Sequence, residues 1–317
     1  KPMDQVKKME EAVAANLELL DKLAALTGEV LATPASFADW GEQLPCAPQG
    51  SQPVQSLLQS FVREWSAEGL QERRECFDRL LGALDGHLKQ QAEAAASGGP
   101  RPRVLCPGVM LGRLLFEVQA RGYVGEACEP RALPYIAGEY VRRHCARRET
   151  HRIQPYALQT CNRFHAEDHV RVIPIPEVDI GEGQLPPVRF GNFSHIYNTA
   201  SARGSFDALL TAFSLDTSAN IFRYVRTAAH VVRPGGLWAN FGPLAYEADH
   251  DEAHGHGVEL SWEELRFAVS HFFEIQEEAF VDALNAANAE SMMQIQYSCI
   301  YFKAVRNSTA SAGIGET

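Results

Sequence analysis

At 317 residues the chain can hold one large α/β domain with an appendage, or two modest domains, and is too long for a peptide hormone or an isolated module. Lys plus Arg number 29 against 40 Asp plus Glu, so a polyphosphate backbone meets net repulsion from a formal charge of −11 and nucleic acid is set aside. The 45% hydrophobic content suffices for a packed core, yet no run approaches the roughly 18 apolar residues of a membrane span.

From Met3 to Leu26, apolar residues at Val6, Met9, Val13, Leu17, Leu20, Leu23 and Leu26 recur at steps of three or four. This spacing predicts an amphipathic helix, with Gly28 as its stop. A proline-bearing passage follows, and then Leu57, Leu58, Phe61 and Trp65, with Cys76, Leu80, Leu81 and Leu84 beyond, mark two more helices. The AAASGGPRP stretch, Ala94 to Pro102, breaks the periodicity and divides a helical front over 1–100 from a second region over 101–306. There, short apolar runs (Val104–Cys106, Tyr123–Cys128, Phe206–Phe213, Gly236–Asn240) alternate with helical patterns (Leu111–Arg121, Leu133–Cys145, Ile221–Val232). Such alternation predicts βαβ units and an α/β fold with a mostly parallel sheet. Ser261, with Glu264 three residues on, is a capping box opening a helix to Phe272, and Phe273–Phe280 and Met293–Phe302 read as a final pair of strands. The small, polar tail over 307–317 is expected to be disordered.

Seven cysteines, with no CxxC pair, argue against a disulfide framework or a zinc ribbon. Cys106 and Cys128 sit in apolar runs as buried thiols, which points to a reducing compartment, cytoplasmic with the nucleus left open. The chain opens at Lys1 with no signal-peptide pattern, and a targeting segment removed ahead of it is left open.

The segment VLCPGVMLGRL from Val104 is a strand, a glycine turn and a helix start, in which Gly108 and Gly112 let a ligand approach backbone N–H groups. Glu129 follows at the end of the next strand, placed to accept from ribose hydroxyls. Met110 stands where a dinucleotide fingerprint has its middle glycine, so a nucleoside without phosphates fits better than a pyrophosphate. The competing reading makes Gly108 and Gly112 packing glycines and Glu129 a solvated carboxylate.

Several stretches in this order resemble the carnosine N-methyltransferase family: FVREWSAEGLQER from Phe61, VLCPGVMLGRLLFE from Val104, IQPYALQTCNRFHAEDHVRVIPIPEVD from Ile153, GNFSHIY from Gly191, SLDTSANI from Ser214, VRPGGLWANFGPL from Val232, VELSWEELRFAV from Val258 and SMMQIQYSCIYF from Ser291. The resemblance implies S-adenosylmethionine as cofactor and a Rossmann-like methyltransferase domain, with an antiparallel last strand, behind a helical N-terminal region. It further implies Gly108 and Gly112 at the methionine end of the cofactor, Glu129 on its ribose, Arg63 on its carboxylate, and Asn192 with Phe193 at the adenine. Asn192 replaces the aspartate of the family's Gly-Asp-Phe motif, and Met110 replaces the middle glycine of its G-x-G-x-G.

For the acceptor, the resemblance implies that Asp216 holds the N–H of an imidazole, as the catalytic and substrate-binding carboxylate, with Tyr297 at the ring. Alone, an Asp after a strand reads first as a helix N-cap, here for Ile221 to Val232, and capping and binding are compatible. Tyr246, Glu247 and Asn285 fall where the substrate tail is read, Glu247 in place of a family histidine and Asn285 in place of a tyrosine. A carboxylate at 247 favours a neutral or cationic acceptor over the carboxylate that carnosine presents. The expected acceptor is therefore a small molecule, with neither nucleic acid nor membrane as partner and a homodimer left open. The histidine-rich DHDEAHGHG stretch from Asp249 reads as a polar loop over the site and not a metal cluster. Three alternatives stay open: another acceptor (a sulfur, a carboxyl group or a protein histidine), a cofactor-binding protein without turnover and, more distantly, a nicotinamide-dependent oxidoreductase.

Overall fold

The structure, a computed structural model, describes residues 2–31, 52–246 and 258–308. Three helices come first: α1 (Pro2–Leu31), α2 (Gln52–Trp65) and α3 (Leu70–Ala96). α1 runs through Gly28, where its stop was expected, because Val30 is buried one turn beyond Leu26 and extends the apolar stripe. A glycine inside a helix costs only about 1 kcal/mol relative to alanine, which that burial offsets.

The sheet region follows as β1 (Arg103–Pro107), α4 (Arg113–Ala120), β2 (Val124–Glu129), α5 (Ala132–His144), the small hairpin β3 (His151–Ile153) and β4 (Ile173–Ile175), then β5 (Arg189–Phe190) and α6 (Phe193–Ile196). It continues as β6 (Phe206–Ala212), α7 (Ile221–Val231), β7 (Val232–Gly242), α8 (Trp262–Ser270), β8 (Phe273–Leu284) and β9 (Gln296–Arg306). Among the described residues, seven strands form one sheet in the order β5-β2-β1-β6-β7-β9-β8. The first five are parallel, and β9 runs antiparallel to both β7 and β8. This is the Rossmann-like arrangement with an antiparallel last strand. β7 starts earlier than its sequence pattern suggests, since Pro234, Gly235 and Gly236 are absorbed in a register shift against β6. A Cβ on Gly236 would lie 2.8 Å from the Asp207 carbonyl oxygen, so the strand closes on β6 there only through glycine.

Alternate side chains of the parallel strands enter two cores, as their near-continuous apolar sequences require. Val104, Cys106, Ala208, Leu210, Leu237 and Ala239 pack with the helices up to α5, and Leu105, Leu209 and Trp238 pack with α7 and α8. The helical front thus shares one core with the sheet. α8 opens with the expected capping box, Ser261 and Glu264 bonding reciprocally. No helix among the described residues is long and apolar enough to cross a membrane. The 309–317 part of the expected disordered tail lies outside the described residues.

Trp238 anchors the second core: it is fully buried, meets Phe273 and Phe302 edge to face, and donates from Nε1 to Thr211 Oγ1 at 3.0 Å. Trp238→Ala is expected to lower stability by about 3–5 kcal/mol, read from the shift in the urea midpoint. A loss below about 1 kcal/mol would show that the sheet does not depend on this anchor.

Candidate active site

β1 and β6 are parallel neighbours, with the chain winding outward from them in opposite directions, so a crevice opens beyond their carboxyl ends. Gly108 leaves β1 with φ +67, and a Cβ there would lie 2.5 Å from Ser214 Cβ, so the two turns can approach only through glycine. Met110 also adopts the left-handed region, with φ 54, at the position where glycine is the comfortable residue. Gly112 starts α4 with φ +91 and faces Leu185, whose Cδ2 a Cβ would meet at 3.3 Å. Gly112 is a packing position, while Gly108 borders the crevice.

Three cavities line this edge. One of ≈ 10 Å³ is bounded by Arg63, Glu64, Gly108 and Met110; one of ≈ 180 Å³ by Arg63, Met110, Phe213, Asp216, Asn285 and Tyr297; and one of ≈ 20 Å³ by Gly108, Asn192, Phe193, Thr217 and Tyr224. Gly108 borders the first and third, Arg63 and Met110 the first and second, and Thr217 the second and third, so they form one trough.

Glu129 lies behind Met110 and Arg131, fully buried. It accepts from the Met110 amide at 2.9 Å and from the Arg131 amide and Nε at 3.1 and 2.8 Å. The Arg131 guanidinium also touches Met110 Sδ. Asn192 caps α6, its Oδ1 accepting from the Ser194 amide at 2.9 Å, while Phe193 packs on Tyr224 with ring centroids 4.7 Å apart. An aromatic wall and a side-chain amide therefore flank the third cavity.

The end of α2 enters the trough from the helical front. Arg63, 7% exposed, lies over the Phe213 ring at 4.6 Å and pairs with Glu72 at 3.7 Å. Glu64 Oε2 accepts from the Leu111 and Arg113 amides at 3.1 and 3.2 Å, completing the first turn of α4. Trp65 Nε1 donates to the Leu111 carbonyl at 3.1 Å, and Arg113 Nη1 to the Glu64 carbonyl at 3.0 Å. Burial pushes the Glu64 carboxyl up to about 7, against the lowering pull of Arg63 and of the two amides, with Glu129 adding to the rise.

Along the second cavity Asp216, 6% exposed, accepts from the Ala245 amide at 3.0 Å. Tyr297 of β9 and Asn285 after β8 border the same cavity, and Asn285 Oδ1 is buried without a hydrogen-bond partner among the described residues. Tyr246 is turned away, its hydroxyl donating to the Leu260 carbonyl at 2.9 Å. Glu247 and the histidine-rich 249–256 stretch lie outside the described residues.

Residues 42–308 match the sequence profile of the family described as carnosine N-methyltransferase. The chain belongs to the carnosine N-methyltransferase family. A carnosine N-methyltransferase of Dictyostelium discoideum is 30% identical over 261 residues, covering 80% of this chain and 54% of its own length. That of Mus musculus is 28% identical over 270 residues, with 83% and 65% covered. The chain thus spans between half and two thirds of the length of these two relatives. Among solved structures, a SAM-dependent methyltransferase from Methanosarcina mazei aligns over 66% of this chain and 94% of its own, at 13% identity and a TM-score of 0.43.

Beyond the site residues that the resemblance implies, the geometry adds Glu64, Glu72, Arg131 and Phe213, to which sequence reading gave no role. The clue for Glu64 is its setting: with Arg63 it is a charged pair inside the run Phe61–Trp65, every residue of which is buried.

A folded-state pKa near 7, above the ordinary value of 4.5, means that Glu64's contribution to stability is full below the ordinary value and is lost as pH rises through 7. Glu64→Gln keeps a carbonyl oxygen for the two amides and does not titrate. Relative to the parent chain it is expected to gain about 2–3 kcal/mol between pH 5 and pH 8, measured by urea unfolding at both. An unchanged difference would show that Glu64 stays ionised throughout.

Proposed function

We propose that the chain is a methyltransferase that uses S-adenosylmethionine to methylate a ring nitrogen of a small imidazole compound of carnosine type. The observation that carries this reading is the shared wall of the trough: Asp216 borders the same ≈ 180 Å³ cavity as Arg63 and Met110, which also border the cavity beside Gly108.

The donor set fits the cofactor. Arg63 supplies a buried cation for a carboxylate, Glu129 supplies acceptor oxygens for ribose hydroxyls in exchange for the Arg131 guanidinium, and Phe193 supplies an apolar face for adenine. When bound, S-adenosylmethionine supplies a methyl group already activated by its sulfonium, so little acid–base chemistry is asked of the protein. The protein's part is orientation. The Asp216 carboxylate accepts the N–H of a neutral imidazole, which turns the opposite nitrogen, with its lone pair, toward the methyl group. The same carboxylate balances the positive charge that grows on the ring as the N–C bond forms. Phe213, with the Arg63 guanidinium stacked on it, lines the same cavity.

Asn285 borders the same cavity, and its Oδ1 has no hydrogen-bond partner among the described residues, so it suits an acceptor whose tail offers an N–H, as the amide and ammonium of a carnosine-type compound do. We infer a small-molecule partner that is neutral or cationic. We further place the protein in a reducing compartment, cytoplasmic or nuclear; the buried thiols Cys76, Cys106, Cys128, Cys145 and Cys299 support that reading.

Calorimetry with S-adenosylhomocysteine is expected to show binding, weakened at least about tenfold in Arg63→Ala through loss of a charge-assisted contact. Asp216→Asn is expected to keep that binding and to lose about a hundredfold or more in kcat on the imidazole acceptor. Full turnover in Asp216→Asn, or no ligand binding by the parent chain, overturns the proposal.

A further inference from the structure

The segment between β8 and β9 brings Asn285 and Ala286 to the acceptor cavity, and it is held from the helical front. Glu72, in the first turn of α3, accepts from the Ala286 amide through Oε2 and from the Ala287 amide through Oε1, both at 2.8 Å. Its Oε2 also lies 3.7 Å from Arg63 Nε, with both side chains under one-tenth exposed. Ala286 has φ 54, a left-handed conformation that a side-chain-bearing residue adopts only when its surroundings impose it. The next residues are tied elsewhere: the Ala287 carbonyl accepts from the Tyr156 hydroxyl, Asn288 Oδ1 from Arg171, and Asn288 Nδ2 donates to Gln159. Glu72 is thus the side chain that fixes the turn at Ala286, directly beside the unpartnered Asn285 Oδ1.

We propose that Glu72 is a positioning residue for the acceptor, holding the Ala286–Ala287 turn and so setting where Asn285 stands in the cavity. At 3.7 Å from Glu72 the Arg63 guanidinium is beyond hydrogen-bond distance and keeps its place over Phe213. A charge-assisted acceptor for two half-buried amides is a strong restraint, and its loss releases a strained turn. This inference rests on the methyltransferase reading for the identity of the acceptor, while the ordering of the turn stands without it.

The test uses the full chain with Glu72→Ala and Glu72→Gln, the latter keeping one carbonyl oxygen and the side chain's shape. Hydrogen exchange of the peptide covering residues 284–290, without ligand, is expected to accelerate at least about tenfold in Glu72→Ala and less in Glu72→Gln. In the same variants the KM for carnosine is expected to rise about tenfold, while the affinity for S-adenosylhomocysteine changes less than about threefold. If Glu72→Ala does not fold, Glu72→Gln decides, through the same exchange and KM readouts. Unchanged exchange in a folded variant overturns the proposal, as does an equal loss of acceptor and S-adenosylhomocysteine binding. Absence of turnover by the parent chain on any imidazole acceptor counts against the methyltransferase reading, and the exchange result still decides the role of Glu72.

Discussion

A buried junction of charges between the helical front and the glycine turn organises this molecule. Arg63, Arg73 and Arg113 meet Glu64, Glu72 and Glu177 where α2, α3 and α4 converge. Taking these ionisable groups out of water is tolerable only where they find partners, and the partners here are largely backbone. Arg73 donates to the carbonyls of Arg63 and Ser66 and pairs with Glu177, and Arg113 donates to the Glu64 carbonyl and to Glu177. An apolar interface of the same size would hold the two parts together without fixing their register. This one aligns a helix end with individual amides of the turn after β1.

From that alignment the trough follows. With α2 docked by Glu64 and Trp65 on the β1–α4 turn, Arg63 is carried over Phe213 and between two cavities. Through Glu72 the same helical front reaches the turn after β8, so both sides of the trough are set by it. The sheet contributes the complementary half: the switch point between β1 and β6 delivers Gly108 and Asp216 from neighbouring strands. Met110 joins the two halves. Its left-handed backbone keeps the amide on Glu129, while its side chain lines two cavities and touches Arg131.

Much of the fold was legible because it is written in periodicity. The βαβ alternation from Val104 onward, the capping box at Ser261 and the two closing strands each have a local signature, and the structure places each element within a few residues of its pattern. Gly28 misled, because a helix end is decided by what the next turn buries, here Val30, and not by the glycine. Of the site, Arg63, Gly108, Asn192, Phe193, Asp216, Asn285 and Tyr297 border the trough, and Glu129 lies behind it through Met110 and Arg131. Gly112 and Tyr246 are spent on packing and on the Leu260 carbonyl. Glu64 and Glu72 were illegible for a physical reason: each acts on backbone amides more than 40 residues away, contacts that leave no spacing in the sequence.

On this reading the helical front completes the cofactor site through Arg63. A crystal structure of the protein with S-adenosylhomocysteine decides it. The expected result has the ligand carboxylate within hydrogen-bond distance of Arg63, its ribose on Glu129, and Glu64 still holding the Leu111 and Arg113 amides. A ligand seated in the trough without touching any residue of α2 would contradict it.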